Sequence, residues 1–216
     1  MKRLLLISIC LPTLAFAEDI TLQNLMRAES DTMFRLTMQT NHIDVGEIAH
    51  VREVASANAP QPVIRPNQDT MYSAAVVDLS KPVTLTLPKG DGRYQSVLVI
   101  SQDHYNCAYA SPGAHERTED EVGTRFALLL FRTFVDAGDP DDTPRAHAMQ
   151  NGIVIEGGGK GPFEAPDWDL EALAAARKAV NDLAAAVGLE SSKSFGRRGE
   201  IDPLDHLIGL AGWAGQ

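Results

Sequence analysis

Apolar positions recur with a helical period at the two ends of the chain and with a strand period in its middle. At the N-terminal end the spacing predicts a helix over 19–39 and a second short helix over 47–57. At the C-terminal end it predicts a long helix over 168–187, which Asp167 can cap and Gly188 ends, and a short helix over 203–210. Strands are predicted over 71–79, 83–87, 93–101, 126–135 and 153–155.

One pair of these strands is predicted to form a hairpin. Val83, Leu85 and Leu87 alternate with threonines, and Pro88–Gly92 has the composition of a turn. A hairpin over 83–101 is therefore expected, followed by loops at 111–123 and 136–144 and a helical turn at 145–150. Strands in the middle and helices at the ends predict an α+β fold with antiparallel sheets.

The first residues have the three parts of a secretory signal peptide. Lys2 and Arg3 precede the apolar run 4–11, and Ala15-Phe16-Ala17 is a small-residue cleavage signal. The run is too short to cross a hydrocarbon core of ~30 Å, and the context of Cys10 does not suit a lipid anchor. We expect residues 1–17 to be removed near Ala17, so that the protein is periplasmic or secreted.

Composition narrows the classes of partner. The chain has 216 residues and a formal net charge of −10, which disfavours nucleic acids and anionic membrane surfaces. Cys107 is the only cysteine outside the signal segment, so no intramolecular disulfide is expected and a small buried side chain is the simplest role for it.

The densest group of polar side chains lies in residues 65–73. Arg65, Asn67, Asp69 and Tyr72 follow one another around Pro66 and lead into a strand. Asp69 could act as a base or metal ligand, Arg65 could hold an anion, and Tyr72 could donate to an oxyanion. The same residues also suit a purely structural Asx turn, and both interpretations remain open.

A second polar group, residues 101–106, follows the predicted strand 93–101. His104 could move a proton or bind a metal, and a structural role is the alternative. Arg93 and Arg132 lie in otherwise apolar strands, where a buried charge needs a partner, and Asp69 and Asp103 are the expected partners.

Several motifs in order resemble the bacterial DUF1254 family (domain of unknown function 1254). They are Arg65-Pro66-Asn67-Gln68-Asp69-Thr70-Met71-Tyr72-Ser73, Gly92-Arg93-Tyr94-Gln95-Ser96, Gln102-Asp103-His104-Tyr105, Val122-Gly123-Thr124-Arg125-Phe126, Arg132-Thr133-Phe134-Val135-Asp136, Phe195-Gly196, Glu200-Ile201-Asp202-Pro203 and His206-Leu207-Ile208-Gly209. The resemblance covers about residues 20–216.

The resemblance implies an immunoglobulin-like antiparallel β-sandwich with flanking N- and C-terminal helices. It divides the chain into the signal peptide 1–17, an N-terminal helical segment 18–60, the sandwich 61–160 and a C-terminal helical segment 161–216. Family members usually continue into a β-rich DUF1214 domain, which this chain lacks, so such a domain is an expected partner in trans. A truncated half of a two-domain protein is the other interpretation.

Two functions are carried forward. The first is a metal-assisted hydrolase or small-molecule-handling protein that binds a small anionic ligand; the divalent metal, the substrate and the oligomeric state are not identified. Its catalytic candidates are Asp69, His104 and Tyr72, and its substrate-binding candidates are Arg65, Asn67, Arg93, Gln95 and Arg132. The second is a non-catalytic binding or assembly module. The first requires that the segments 65–73 and 101–106 meet at one end of the sheet.

Overall fold

The structure is a computed structural model that describes residues 17–56, 67–109, 111–187, 191–194 and 196–214. Within these ranges the helices are α1 (Leu25–Asn41), α2 (Glu119–Val122), α3 (Asp142–Asn151), α4 (Leu170–Val187) and α5 (Pro203–Ala214). The strands are β1 (Ile48–His50), β2 (Thr70–Asp78), β3 (Val83–Leu87), β4 (Gln95–Ser101), β5 (Asn106–Tyr109), β6 (Gly113–Arg117), β7 (Phe126–Phe134) and β8 (Val154–Gly157). Ser191–Ser194 forms a 3-10 turn.

The strands form two antiparallel sheets. One sheet has five strands in the order β1-β2-β7-β4-β5, and the other has three in the order β6-β3-β8. Strand β7 lies in the middle of the larger sheet and pairs along its whole length with β2 and along most of it with β4. Antiparallel sheets with five helices confirm the predicted α+β class.

Both faces of the five-stranded sheet are buried over its middle, because alternate residues of each strand point to opposite sides. On the inner face, Leu129 and Phe131 of β7 share one apolar cluster with Leu85 of the smaller sheet. On the outer face, Leu128 packs in a second cluster with Phe34 of α1. A central strand enclosed in this way has an almost continuous apolar sequence, as 126–131 does.

The predicted hairpin over 83–101 is wrong. Strand β3 pairs with β6 and β8 in the smaller sheet, whereas β4 pairs with β5 and β7 in the larger one. The segment between them carries the chain from one sheet to the other. Turn composition between two strands is a local signal, and it does not specify which strand each one pairs with.

Two other local predictions are corrected. Residues 48–50 form a short strand where a helix over 47–57 was expected, because they pair with residues 73–75 on the free edge of β2. The expected loop 111–123 contains β6 and α2. Thr118 caps the N-terminus of α2 and forms a capping box with Glu121. The Thr-x-x-Glu spacing is a signal for the start of a helix, and it was overlooked because the segment is rich in charged residues.

Helix α1 is joined to the rest of the molecule by buried polar side chains. Asp31, which is 1% exposed, accepts hydrogen bonds from Gln102 at 2.6 Å and from Trp168 at 3.1 Å. Burial raises the pKa of Asp31, against the opposing effect of these hydrogen bonds. Arg177 of α4 donates two hydrogen bonds to the Glu29 carboxylate, at 2.6 and 2.7 Å. These contacts fix which side of α1 faces the sheet.

A pair of phenylalanines in β7 tests the register of the sheet. Phe131 is fully buried on the inner face and Phe134 is 39% exposed on the outer face. We expect Phe131→Ala to lower the free energy of unfolding by about 3–5 kcal/mol, since it leaves a cavity, and Phe134→Ala to lower it by less than about 1 kcal/mol. Urea denaturation measures both, and equal losses would contradict this register.

Candidate functional site

The two predicted polar segments lie at opposite ends of the five-stranded sheet. Strands β2 and β4 run in the same direction, because each is antiparallel to β7. Asp69 immediately precedes β2, whereas His104 follows β4. The nine residues of β2 separate the two ends by about 25 Å at ~3.3 Å per residue. The expectation that the segments 65–73 and 101–106 meet is therefore wrong.

The residues before β2 are on the surface. Asn67 and Asp69 are both exposed. Asp69 Oδ1 accepts a hydrogen bond from the Thr70 hydroxyl at 3.0 Å, and its carbonyl accepts from Val135 N at 2.9 Å. Arg65 lies outside the described residues. Asp69 thus serves at least to close the β2–β7 pairing at this end.

Arg93 is a structural cross-link between three parts of the chain. Its Nε and Nη2 donate to Asp91, Nη1 donates to the Phe134 carbonyl, and Nη1 and Nη2 both donate to Asp142 at the start of α3. The Arg93 and Asp142 side chains are each 6% exposed. Asp91, and then Asp142, raise the pKa of Arg93, and Arg93 in turn lowers the pKa of Asp142. Asp91 and Asp142, not the expected Asp69 or Asp103, neutralise it.

Arg132 is in the opposite situation. It is exposed on the outer face of β7, directly opposite Tyr72 in the register of β2, and its guanidinium carbon lies 5.9 Å from the centre of the Tyr72 ring. No ion pair joins Arg132 to the described residues. None of the described residues forms an ion pair with its guanidinium, whose donors suit a carboxylate or phosphate.

Exposed apolar and aromatic side chains surround Arg132. Phe134 is 39% exposed and lies two residues along the same face, beside Tyr94, which is 60% exposed. Val51, 47% exposed, adjoins Tyr72 through a backbone hydrogen bond of 2.8 Å. We call this surface the open face; it consists of Val51, Tyr72, Tyr94, Arg132 and Phe134. Helix α1 covers the other end of the same side of the sheet.

Gln95, in contrast, is on the inner face. It is 5% exposed, and its Nε2 donates to Thr133 Oγ1 at 2.9 Å. The open face and Gln95 therefore lie on opposite sides of β4, and the substrate-binding candidates do not form a single site.

A polar network that sequence reasoning missed connects β1, β2 and α3. His50 Nδ1 lies 2.7 Å from Ser73 Oγ, and Gln150, fully buried, donates to Ser73, Val51 and Tyr72. Burial and the charge of Arg52 lower the pKa of His50. Ser73 is 1% exposed, so this serine–histidine contact is a cross-strand tie that substrate cannot reach. No local signal could have indicated it.

His104 lies in the turn that joins β4 to β5, with a left-handed backbone at φ 62°. Burial and the charge of His206 lower the pKa of His104 to about 4. The neighbouring Tyr105 ring stacks on His206 of α5 at 4.2 Å, and Asp103 pairs with Arg27 of α1. The turn between β4 and β5 thus contacts both α1 and α5. These contacts support a structural role for the turn.

The residues considered for a divalent metal do not form a common ligand set. Asp69 and His104 lie at opposite ends of β2 and β4, and the described part of the chain holds no group of three or more histidine, cysteine or carboxylate side chains arranged to bind a metal ion. Cys107, expected to be buried, is exposed. A metal held jointly by Asp69 and His104 does not fit this geometry.

Residues 45–121 match the family described as protein of unknown function (DUF1254). This matched segment is about a third of the chain. It contains strands β1 to β6, with Asp69, Tyr72, Gln95 and His104 among its residues, whereas Arg132 lies beyond it. The match confirms the family that the ordered motifs indicated.

The fold is similar to that of a solved structure, the VPA0106 protein from Vibrio parahaemolyticus. The TM-score is 0.51 and the sequence identity is 17%, over 90% of this chain and 55% of that chain. This chain therefore spans just over half the length of its structural neighbour. No curated protein matches with significant similarity. No described helix has the length and apolar character needed to cross a membrane.

The lowered pKa of His104 predicts a specific pH dependence of stability. The ring binds a proton near pH 6.5 when unfolded but only near pH 4 when folded, so acidification through this window favours unfolding and the penalty is absent above it. His104→Asn keeps a residue that tolerates the left-handed backbone. Between pH 7 and pH 4 we expect the free energy of unfolding of this variant to fall by about 2–3 kcal/mol less than that of the wild type. Urea denaturation measures both.

His42 provides the matched control. It is the other histidine with a left-handed backbone among the described residues, at φ 53°, but it is exposed. His42→Asn should follow the wild-type pH profile. Parallel profiles for the wild type and His104→Asn would show that His104 does not cause the acid sensitivity.

Proposed function

We propose that this chain is an exported, non-catalytic binding module that docks a polypeptide partner on the open face. The observation that carries the proposal is Arg132, an exposed cation near the C-terminal end of β7, close to the Tyr72 ring and without an ion pair among the described residues. A carboxylate of the partner would form an ion pair with the Arg132 guanidinium.

The composition of the open face supports docking. Tyrosine, phenylalanine and arginine are the residue types that dominate the energy of protein–protein interfaces. Here they adjoin one another on a paired, rigid sheet: Tyr72 and Arg132 are opposite in register, and Phe134 and Tyr94 are joined by a backbone hydrogen bond of 2.9 Å. Little side-chain or backbone freedom remains to be lost on binding, which favours affinity.

The structural neighbour supports a polypeptide as the occupant. Nearly half of the VPA0106 chain lies outside the region that this chain matches, so the same fold occurs there in a longer polypeptide. We propose a polypeptide partner here, a domain that presents an aspartate or glutamate to Arg132. A DUF1214-type domain in trans is the form of this partner that the family resemblance suggests.

The immunoglobulin-like sandwich is part of the same proposal. Its support is the inner cluster, in which Val83 and Leu85 of the smaller sheet pack with Val97 and Phe131 of the larger one. Two sheets that share one core in this way have the layer arrangement of a sandwich.

A hydrolase that uses Asp69 and His104 together has less support. The two residues are about 25 Å apart along β2 at ~3.3 Å per residue, and a general acid–base pair must reach the same substrate. Arg93, one of the predicted anion-binding residues, has its donors occupied by Asp91, Asp142 and Phe134.

Site-specific crosslinking tests the docking proposal. A photoreactive phenylalanine analogue at position 94 or 134, introduced in the cells that produce the protein, should crosslink to one polypeptide through a segment that contains a carboxylate. The same analogue at position 36, where Leu36 is 60% exposed on α1, should not. Arg132→Glu should weaken binding of the identified partner by about 30-fold or more, the effect of losing an interface hot spot.

A charge swap distinguishes docking from a change in folding. Replacing the crosslinked partner carboxylate by arginine should restore binding to Arg132→Glu. If residues of the same chain fill the open face instead, Arg132→Glu will lower the melting temperature; in the proposed arrangement the melting temperature changes little, since Arg132 is exposed and makes no ion pair with the described residues. Crosslinks that persist in Arg132→Glu would refute the proposal.

Export has a separate test. The backbone of Glu18 is fixed to Asp167 by a hydrogen bond of 2.7 Å, and cleavage after Ala17 would leave this contact intact. Protein isolated from the periplasm or medium should therefore begin at Glu18, as intact mass and N-terminal sequencing will show. Ala17→Leu should retain the leader on the cell-bound protein. An unprocessed, cytoplasmic wild type would contradict export.

A further inference from the structure

Gln95 carries a buried oxygen whose hydrogen-bonding capacity is unused. The residue is 5% exposed, and its Nε2 donates to Thr133 Oγ1 and, at 3.4 Å, to the Met149 carbonyl. Its Oε1 has no hydrogen-bond partner among the described residues. Because the Met149 carbonyl can only accept, the amide nitrogen belongs on that side and the unpaired atom is an acceptor.

A cavity of about 440 Å³ lies beside this residue, within the size range of sites for small molecules. Apart from Gln95, its walls are mostly apolar: Leu87, Pro88, Tyr94, Pro112 and Met149 contribute. Gly90 allows the turn to approach α3 closely, since a Cβ on it would lie 1.9 Å from Met149 Sδ. The cavity is thus formed by the segment that crosses between the sheets and by the side of α3.

Among the described residues that line the cavity, Lys89 is the cation that forms no ion pair. Arg93 also lines it, but Asp91, Asp142 and the Phe134 carbonyl occupy the nitrogens of its guanidinium. Lys89 is exposed at the same cavity and forms no ion pair with the described residues. An anionic group would therefore be attracted to Lys89 rather than to Arg93.

We infer that this cavity binds a small carboxylic acid that has an apolar body and one hydroxyl or N–H donor. The donor forms a hydrogen bond to Gln95 Oε1, and the carboxylate faces Lys89. A buried acceptor without a partner is unfavourable, and a ligand donor removes that cost. The apolar walls take up the body of the molecule. Gln95 lies on the inner face of β4 and Arg132 on the outer face of β7, so the proposed contact at Gln95 is separate from the docking contact at Arg132, although Tyr94 borders both sites.

Two matched pairs of acids test the inference by NMR titration of the ¹⁵N-labelled chain. The pairs are para-hydroxyphenylacetate with phenylacetate and omega-hydroxyhexanoate with hexanoate, so that each pair differs by one hydroxyl. The side-chain amide of Gln95, assigned by triple-resonance experiments, is the reporter. In at least one pair the hydroxylated acid should shift this amide and bind about 10-fold tighter than its partner, the value of one hydrogen bond.

Three variants separate the two polar contacts. Lys89→Ala should weaken both members of the pair, whereas Lys81→Ala, at the opposite end of β3 and also exposed, should weaken neither. Thr133→Val removes a partner of Nε2 but leaves Oε1, so the preference for the hydroxyl should remain. No shift of the Gln95 amide by any of the four acids, or equal affinities within both pairs, would overturn the inference.

Discussion

The antiparallel pairing of β7 with both β2 and β4 is the constraint on which the rest of this structure depends. It makes β2 and β4 parallel to each other, so the segment that precedes one and the segment that follows the other emerge at opposite ends of the sheet. Two polar clusters of similar composition therefore contact different parts of the structure. Asp69 lies beside β7 at its C-terminal end, and His104 lies among α1, α5 and the turn after β4.

Burial of this sheet on both faces explains why so many of its polar residues are structural. Arg93 is satisfied by Asp91 and Asp142, and Gln150 by the Val51 and Tyr72 carbonyls, the Ser73 hydroxyl and Arg52. In each case a buried charge or amide forms hydrogen bonds with protein groups in place of water. An interior of low dielectric requires such pairing. Complete pairing leaves such residues without donors for a ligand.

Two residues that are not completely paired, Arg132 and Gln95, support the binding proposals. Arg132 is exposed and has no ion pair with the described residues. Gln95 Oε1 is buried, and no described residue donates a hydrogen bond to it. They lie on opposite faces of neighbouring strands, so the sheet separates a surface suited to a polypeptide from a cavity suited to a small acid. One strand pair thus supports two distinct binding proposals, and neither needs His104.

The sequence by itself determined the α+β class, the limits of three strands and the family. These depend on alternation along single segments and on ordered motifs, which are local properties of the chain. Strands β2, β3 and β7 were found within one residue of their ends. Only the tertiary structure decided that β3 and β4 belong to different sheets, that Arg93 is enclosed while Arg132 is open, and that Asp69 and His104 do not meet. Those outcomes follow from which edges pair and which faces are covered, and pairing between distant segments has no signature in either segment alone.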